Sequence, residues 1–341
     1  GRRELFKGLK IDRMRYDWAK YPVVMLNMAD VVAPTVDTLR ENLQALVKGL
    51  IRSFRLKDVD VVSEPGMTFG NFLKALAAKV ERENARKRKW KGANAAMAGE
   101  VVVLVDEYDV PLQGFFGDRK SLVAVRRQMH DFYIQLKNNE ANLRFLMLTG
   151  VTKLTKVSVF SGLNHLTDLT MKKADYAALL GYTPKEIAKF FPRGLDEMAK
   201  TVGTNRAGAL RRLLDWYDSY RFSHRSEVRV CNPISIGQAI SNRALESYWV
   251  STAMATLVME RIAAAGKTPE DFEGCTATKD ELDICEATEL PAKSLMYQSG
   301  YLTIKGLSKT EVDGIGNPKL ILGAPNHEVK GAIRDGWFDS F

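Results

Sequence analysis

The sequence predicts an α/β fold, with a parallel sheet in the first half of the chain and a mostly helical domain in the second. Short apolar runs at 21–29, 101–105 and 143–150 alternate with amphipathic helical stretches. This alternation is typical of a parallel sheet covered by helices on both faces. After about residue 175 helical stretches dominate. At 341 residues the chain is long enough for two domains, or for one large domain with an appendage.

The elements of the first half follow from their apolar spacing. The run "YPVVMLNMA", opened by Pro22, indicates a buried strand. The next stretch repeats apolar residues at helical spacing, and Thr35 or Asp37 stands at its expected cap. The helices predicted in this half span 35–54, 68–89 and 121–139, and a further strand is predicted at 156–162. We expect a right-handed crossover from strand 101–105 to strand 143–149.

The second half is predicted to be helical, with proline near several helix starts, where a missing N–H costs little. The predicted helices span 183–191, 206–220, 232–245 and 252–266. The tail from 299 to 329 contains two short strand-like runs around a Gly-rich turn, and a helix begins near Pro325 and Asn326.

The composition argues against several classes of protein. No apolar run approaches the roughly 18–20 residues that span a bilayer. The three cysteines form no CxxC pair and the four histidines no metal-binding spacing, which argues against a zinc site and favours a reducing, cytoplasmic setting. Lys and Arg exceed Asp and Glu by 50 − 41 = 9, which permits nucleotide or nucleic acid as a partner. The basic run 82–91 fits a solvated helix end, with a nucleic-acid contact as the alternative.

Two adjacent carboxylates, Asp106 and Glu107, end the apolar strand in "VVVLVDEYDVPL". In open α/β sheets ligands bind beyond the carboxyl ends of the strands. A first carboxylate there can hold Mg²⁺, and a neighbouring one can orient or deprotonate the water that attacks a γ-phosphate, the pattern known as Walker B. The alternative for the two carboxylates is a surface turn. Next to them, Tyr108 is expected to pack and Asp109 to cap a helix or turn before Pro111.

A phosphate-binding loop, which would complete such a site, is not found in residues 1–341. The loop G-x-x-x-x-G-K-[ST] cradles phosphates with backbone N–H groups and a lysine. The nearest stretch, "GFFGDRKS" at 114–121, has the wrong spacing and follows the Asp-Glu strand instead of preceding it. We therefore reject it as a phosphate loop.

A series of motifs resembles one family. They occur in this order: "VVVLVDEYDVPL", "FLMLTGVTKLTKVSVFSGLNHLTDLT", "LLGYTPKEI", "WYDSYRF", "CNPISI", "QSGYLTIKG" and "LGAPNHEV". Together they resemble the AAA-ATPase-like family, whose members often carry a C-terminal PD-(D/E)XK nuclease-like domain, and the match covers nearly the whole chain. The resemblance implies a P-loop NTPase-like core and a helical lid or winged-helix-like domain.

The resemblance also implies boundaries. The opening "GRRELFKGLKI" is similar to the segment that follows the phosphate loop, and "PNHEV" to the junction with the nuclease-like domain. We therefore expect a chain that lacks its first strand and phosphate loop. The expected parts are an ATPase core at 1–172, a helical lid at 173–297, and a strand pair with linker at 298–341.

The resemblance assigns roles to four residues, with ATP and Mg²⁺ as cofactors. Asp106 would hold the magnesium ion and Glu107 would be the catalytic base, while Thr149 would sense the γ-phosphate. Arg221, in the lid, could reach phosphate or could be paired in the core or at the surface. Asn164 and Asp168 are weaker candidate contacts.

Two functions are compatible with these features. The first is an ATP-driven conformational switch that acts on an attached nuclease-like domain or on a protein or nucleic-acid client. The second is a scaffold or binding module that has lost hydrolysis. This family usually has Gly where Ser219 stands and an aromatic residue where Cys231 stands, so the backbone near Arg221 is in question.

Overall fold

The computed structural model divides into two compact units. The first comprises Gly1–Gly150 and Lys156–His165, and the second Val151–Thr155 and Leu166–Phe341. The residues that the structure describes are 2–16, 18–91, 101–153, 159, 162–163, 165–170, 173–249, 253–283, 291–308 and 318–339. The predicted strand at 156–162 lies outside them, apart from residues 159 and 162.

A three-stranded parallel sheet forms the centre of the first unit. Its strands are β1 (Val23–Asn27), β2 (Val101–Asp106) and β3 (Leu143–Leu148), in the order β1-β2-β3. In this register Asn27 pairs with Asp106 and Val105 with Leu148, so the strands end at one edge. The predicted α/β class and parallel pairing are confirmed.

Helices cover one face of this sheet. They are α1 (Val36–Ser53), α2 (Pro65–Lys91), the short α3 (Val110–Gln113) and α4 (Arg119–Asn138). Their apolar stripes pack together: the rings of Phe69 and Phe132 stack with centroids 4.6 Å apart. A Cβ on Gly66 would collide with the backbone carbonyl of Asp131, so glycine permits this close approach of α2 to α4.

The opposite face of the sheet differs from the prediction of a sheet covered on both sides. Among the described residues, Met25 on β1 is 54% exposed and Phe145 on β3 is 52% exposed. The strand order explains the difference. Both crossovers step across the sheet in the same direction, so right-handed connections bring α1, α2 and α4 to the same side.

The second unit begins with four helices around one apolar core. They are α5 (Pro184–Phe190), α6 (Pro192–Thr201), α7 (Arg206–Tyr217) and α8 (Pro233–Asn242). Three of them were predicted, within three residues at each end. The fourth, α6, was missed because Pro192 interrupts the helical pattern while serving as the first residue of the helix.

A second apolar core joins four helices to an antiparallel sheet. Its elements are α9 (Ala253–Ala264), β4 (Thr276–Ala277), α10 (Lys279–Asp283), α11 (Ala292–Gln298), β5 (Thr303–Leu307), β6 (Leu320–Gly323) and α12 (His327–Asp339). The sheet order is β4-β6-β5. Within residues 298–341, the range expected to hold a strand pair and linker, the described elements are β5, β6 and α12, and each shares a sheet or a core with residues before them.

Short 3-10 helices complete the described structure, at Arg3–Phe6, Lys10–Arg13, Met28–Val31, Glu140–Asn142, Ala174–Tyr176 and Pro269–Phe272. Within the described ranges, no helix combines the length and the apolar character that crossing a membrane requires.

Candidate functional site

The end of β2 meets the end of β3 through a side-chain hydrogen bond. The Thr149 hydroxyl donates to Oδ1 of Asp106 over 2.6 Å, and the Glu107 backbone N–H donates to the same oxygen over 3.0 Å. Backbone bonds fix the approach: Thr149 N–H donates to the Val105 carbonyl (2.8 Å), and Tyr108 N–H to the Thr149 carbonyl (3.0 Å). Two of the predicted site residues are therefore in direct contact.

Glu107 has an unusual backbone conformation. Its φ is +53°, in the left-handed region, which costs an L-residue other than Gly, Asn or Asp roughly 1–2 kcal/mol. Its carbonyl accepts from Val110 N–H at 3.0 Å, closing a turn directly after the strand. The Glu107 side chain is exposed at this edge. A strained backbone at an exposed carboxylate is typical of functional sites.

The turn beyond Glu107 is held from within the unit. Tyr108 is buried, as expected, and its carbonyl accepts from the Tyr133 hydroxyl at 3.0 Å. Burial raises the pKa of Tyr133 well above its ordinary value, and the nearby Asp109 and Tyr108 add to the effect. The Tyr133 hydroxyl therefore remains a donor at neutral pH.

Asp109 stands at the predicted cap position before Pro111, although its side chain makes no capping bond. It occupies the N-cap position of α3, and its buried carboxylate accepts from Gln113 Nε2 at 3.0 Å. Gly150 packs closely against this turn: a Cβ at that position would overlap Oδ1 of Asp109 and the Tyr108 ring. The glycine in "LTG" is thus required by packing against this turn.

A third polar side chain ends a strand at this edge and was missed by the sequence reasoning. Asn27 pairs in register with Asp106, and its Oδ1 accepts from Ala29 N–H at 3.2 Å. Its Nδ2 donates to Asp30 Oδ1 at 3.4 Å. The signal was available, because an Asn directly after an apolar run stands at the ligand-binding end of a parallel strand.

The carboxylate of Asp106 fits a magnesium ligand. Both of its hydrogen bonds end on Oδ1, and among the described residues no group donates to Oδ2. In the part of the chain that the structure describes, no group of three or more His, Cys, Asp or Glu side chains is arranged so that it could hold a metal ion. One or two carboxylates completed by water and phosphate oxygens are what Mg²⁺ usually takes in nucleotide sites.

Arg221 belongs to the second unit and its guanidinium is buried there. It donates to the carbonyls of Ser223, His224 and Ser226 and to the carboxylate of Glu227, at 2.6–3.3 Å. These bonds favour the core-pairing alternative, since they hold the loop that follows Arg221. Contact with phosphate remains a prediction.

The two departures from the family pattern have local explanations. Ser219 has a φ of +100°, which a glycine would adopt without strain. Cys231 is buried and bridges Tyr182 in the backbone, and burial raises the pKa of its thiol far above the ordinary value. Of the weaker candidates, Asn164 lies outside the described residues, and Asp168 is paired with Lys153.

Comparison with known proteins places this geometry in a family. The family model described as "Predicted AAA-ATPase" matches residues 1–160, which contain the whole parallel sheet. Residues 1–160 belong to the AAA-ATPase-like family. Asp106, Glu107 and Thr149 all lie within the AAA-ATPase-like part of the chain, whereas Arg221 lies beyond it.

The chain also resembles a curated protein along nearly its full length. It is 28% identical over 339 residues to an uncharacterized protein encoded in the vnfD 5′ region of Azotobacter chroococcum mcd 1. The alignment covers 98% of this chain and 58% of the relative, so the chain spans little more than half of the relative's length. No solved structure matches this chain.

Proposed function

We propose that this chain is the core of a magnesium-dependent ATPase that works as a conformational switch. The observation that carries the proposal is the 2.6 Å hydrogen bond between Thr149 and Asp106. It joins the ends of two neighbouring parallel strands, at the edge where α/β sheets bind ligands. The family assignment supports nucleotide as the ligand.

Each residue has a distinct chemical task. Asp106 would hold a magnesium ion through its carboxylate, which the Thr149 hydroxyl and the Glu107 N–H fix through Oδ1. Bound magnesium supplies charge neutralisation for the β- and γ-phosphates. Glu107 accepts a proton from the attacking water, and its left-handed backbone sets the direction in which its carboxylate leaves the strand.

The second unit is the part of the chain that would carry the output of the switch. The element order α9-β4-α10-α11-β5-β6, with the sheet order β4-β6-β5, supports the winged-helix-like arrangement expected for the second unit. We propose that this unit responds to the nucleotide and acts on an attached nuclease-like domain or on a client. The greater length of the relative leaves room for such a domain in that protein.

The alternative function is a scaffold without hydrolysis. It differs from the switch in that it needs no phosphate loop. The gene sequence upstream of Gly1 distinguishes the two. An intact loop there supports the switch, and a loop without its lysine supports the scaffold, because that lysine binds the β- and γ-phosphates.

The test uses a protein in which a phosphate loop precedes Gly1. It should hydrolyse ATP in the presence of Mg²⁺, and Glu107→Gln should lower kcat at least about 100-fold while ATP binding is retained, as loss of a general base does. Glu140→Gln is the matched control, because Glu140 is exposed at the opposite, amino end of β3. Undiminished turnover in Glu107→Gln would remove Glu107 as the base.

A further inference from the structure

The chain leaves the first unit immediately after the candidate site. Thr149 and Gly150 belong to the first unit, Val151–Thr155 to the second, and Lys156–His165 again to the first. We call Val151–Lys153 the strap. Thr149 is only four residues from Lys153, so their Cα atoms are at most about 14 Å apart even in an extended chain.

Lys153 fixes the end of the strap within the second unit. Its backbone N–H donates to Gln298 Oε1 at 2.7 Å. Its ammonium group donates to Asp168 Oδ2 and to Asp283 Oδ1, both at 2.6 Å. The exposed fraction of the three charged side chains is 26% for Lys153 and 16% for each aspartate. Such sheltered, charge-assisted bonds are stronger than exposed ion pairs.

The partners of Lys153 are themselves held in place. Asp283 is the last residue of α10 and Gln298 the last of α11, and Gln298 Nε2 donates to the Leu282 carbonyl at 2.7 Å. The two helices are also joined by the Ser294 hydroxyl, which donates to the Glu281 carbonyl at 2.6 Å. Lys153 is therefore attached to the helix pair α10–α11 as one body.

Helix α11 has little exposed surface that could bind an external ligand. Four of its seven residues are buried: Ala292, Ser294, Leu295 and Met296. Lys293 is occupied as a donor to the Thr276 carbonyl at 2.7 Å. A helix that reads nucleic acid needs exposed polar and basic side chains. The ends of α10 and α11 instead receive a segment of the same chain.

We propose that the strap is the coupling element of the switch, through which Lys153 transmits the state of the Thr149–Asp106 edge to the helix pair α10–α11. The nucleotide as the natural trigger rests on the proposed function. The mechanical link rests on chain connectivity and on the Lys153 contacts, so it can be tested without nucleotide by changing Thr149 itself.

The experiment is hydrogen exchange on the nucleotide-free chain, read at amides 279–283 and 292–298. The variants are Thr149→Val, Lys153→Met and the double variant, with Asp280→Asn as a control that removes an exposed carboxylate from α10. Thr149→Val should speed exchange in both helices about fivefold or more, the lower range of allosteric coupling. The same change in the Lys153→Met background should add nothing. Lys153→Arg should restore the response, and Asp280→Asn should leave exchange unchanged.

Two results would contradict the proposed coupling through the strap. In one, the amide exchange rates of α10 and α11 do not change in Thr149→Val. In the other, Thr149→Val changes these rates equally with and without Lys153. Should Lys153→Met fail to fold, Asp283→Asn replaces it in the same comparison. Failure of the proposed function looks different: a protein with a phosphate loop then shows no ATP hydrolysis, whereas the dependence of α10–α11 on Thr149 and Lys153 is still measured.

Discussion

The hydrogen bond from Thr149 to Asp106 predicts a defined loss of stability when the hydroxyl is removed. Thr149→Val keeps the shape of the side chain and deletes only this donor. A hydrogen bond to a charged group contributes roughly 1.5–3 kcal/mol. Because Asp106 is exposed and Thr149 only half-buried, solvent screening brings the expected loss to about 1 kcal/mol.

Native-state hydrogen exchange measures this loss locally. The amides of Val103–Val105 and of Leu146–Leu148 report opening of the sheet, which avoids treating two compact units as one transition. Their exchange should become about fivefold faster, since 1 kcal/mol is a factor of about 5 in an opening constant. The control is Thr149→Ser, which keeps the donor and should preserve most of the protection.

A double-mutant cycle separates the bond from its surroundings. In the Asp106→Ala background the hydroxyl of Thr149 has lost its close, charged acceptor and retains only the Val105 carbonyl at 3.5 Å, so Thr149→Val should cost markedly less there. The expected coupling is about 1 kcal/mol, within the usual range for contacting residues. A cycle with no coupling would refute the interpretation of these two strand ends as one connected site.

Two further predictions concern the second unit. Glu328 is buried and accepts hydrogen bonds from the Ser235 hydroxyl and from the N–H groups of Tyr248 and Trp249. Glu328→Ala should therefore lower the free energy of unfolding by about 3–5 kcal/mol, since each donor left unsatisfied costs about 1–3 kcal/mol. Glu328→Gln keeps an acceptor and should cost about 1 kcal/mol in urea unfolding, and equal losses would contradict this account. Burial alone would raise the pKa of Asp168, but hydrogen bonds from Lys153 and Thr170 outweigh it and lower the pKa to about 2. Above about pH 4 this lowered pKa stabilises the folded state by roughly 1–2 kcal/mol, after allowance for solvent screening. The contribution disappears as the pH falls from about 4 to about 2. Other carboxylates with lowered pKa values, such as Asp118 and Glu186, also contribute to acid sensitivity, so the unfolding free energy should fall by about 1–2 kcal/mol more in the natural chain than in Asp168→Asn across that range. Equal losses in the two proteins would contradict this assignment.

The sequence predicted those parts of the fold that depend on local pattern. The apolar run before Asp106 and the Thr after the next strand predicted two neighbouring strand ends, and the structure brings these residues into contact. Helical stripes such as the one along α4 were confirmed because apolar spacing alone determines which face is buried.

Other features depend on residues far apart in the chain. Lys153 and Asp283 are separated by 130 positions, and no periodicity links a lysine after one strand to the end of a distant helix. The left-handed backbone of Glu107 carries no signal, since glutamate is not a residue that favours positive φ. Asp109 has the position of a cap, yet its burial follows from the packing of Gly150 and Tyr108.

The most direct test of the account is the metal dependence of ATP binding at Asp106. In a protein that carries a phosphate loop before Gly1, the concentration of Mg²⁺ that gives half-maximal ATP binding is measured by calorimetry. Asp106→Ala should raise this concentration at least about tenfold, the effect expected on loss of a group that holds the metal, whereas Glu140→Ala should leave it unchanged. An unaltered Mg²⁺ requirement in Asp106→Ala would contradict the assignment of this strand end as the magnesium–nucleotide site.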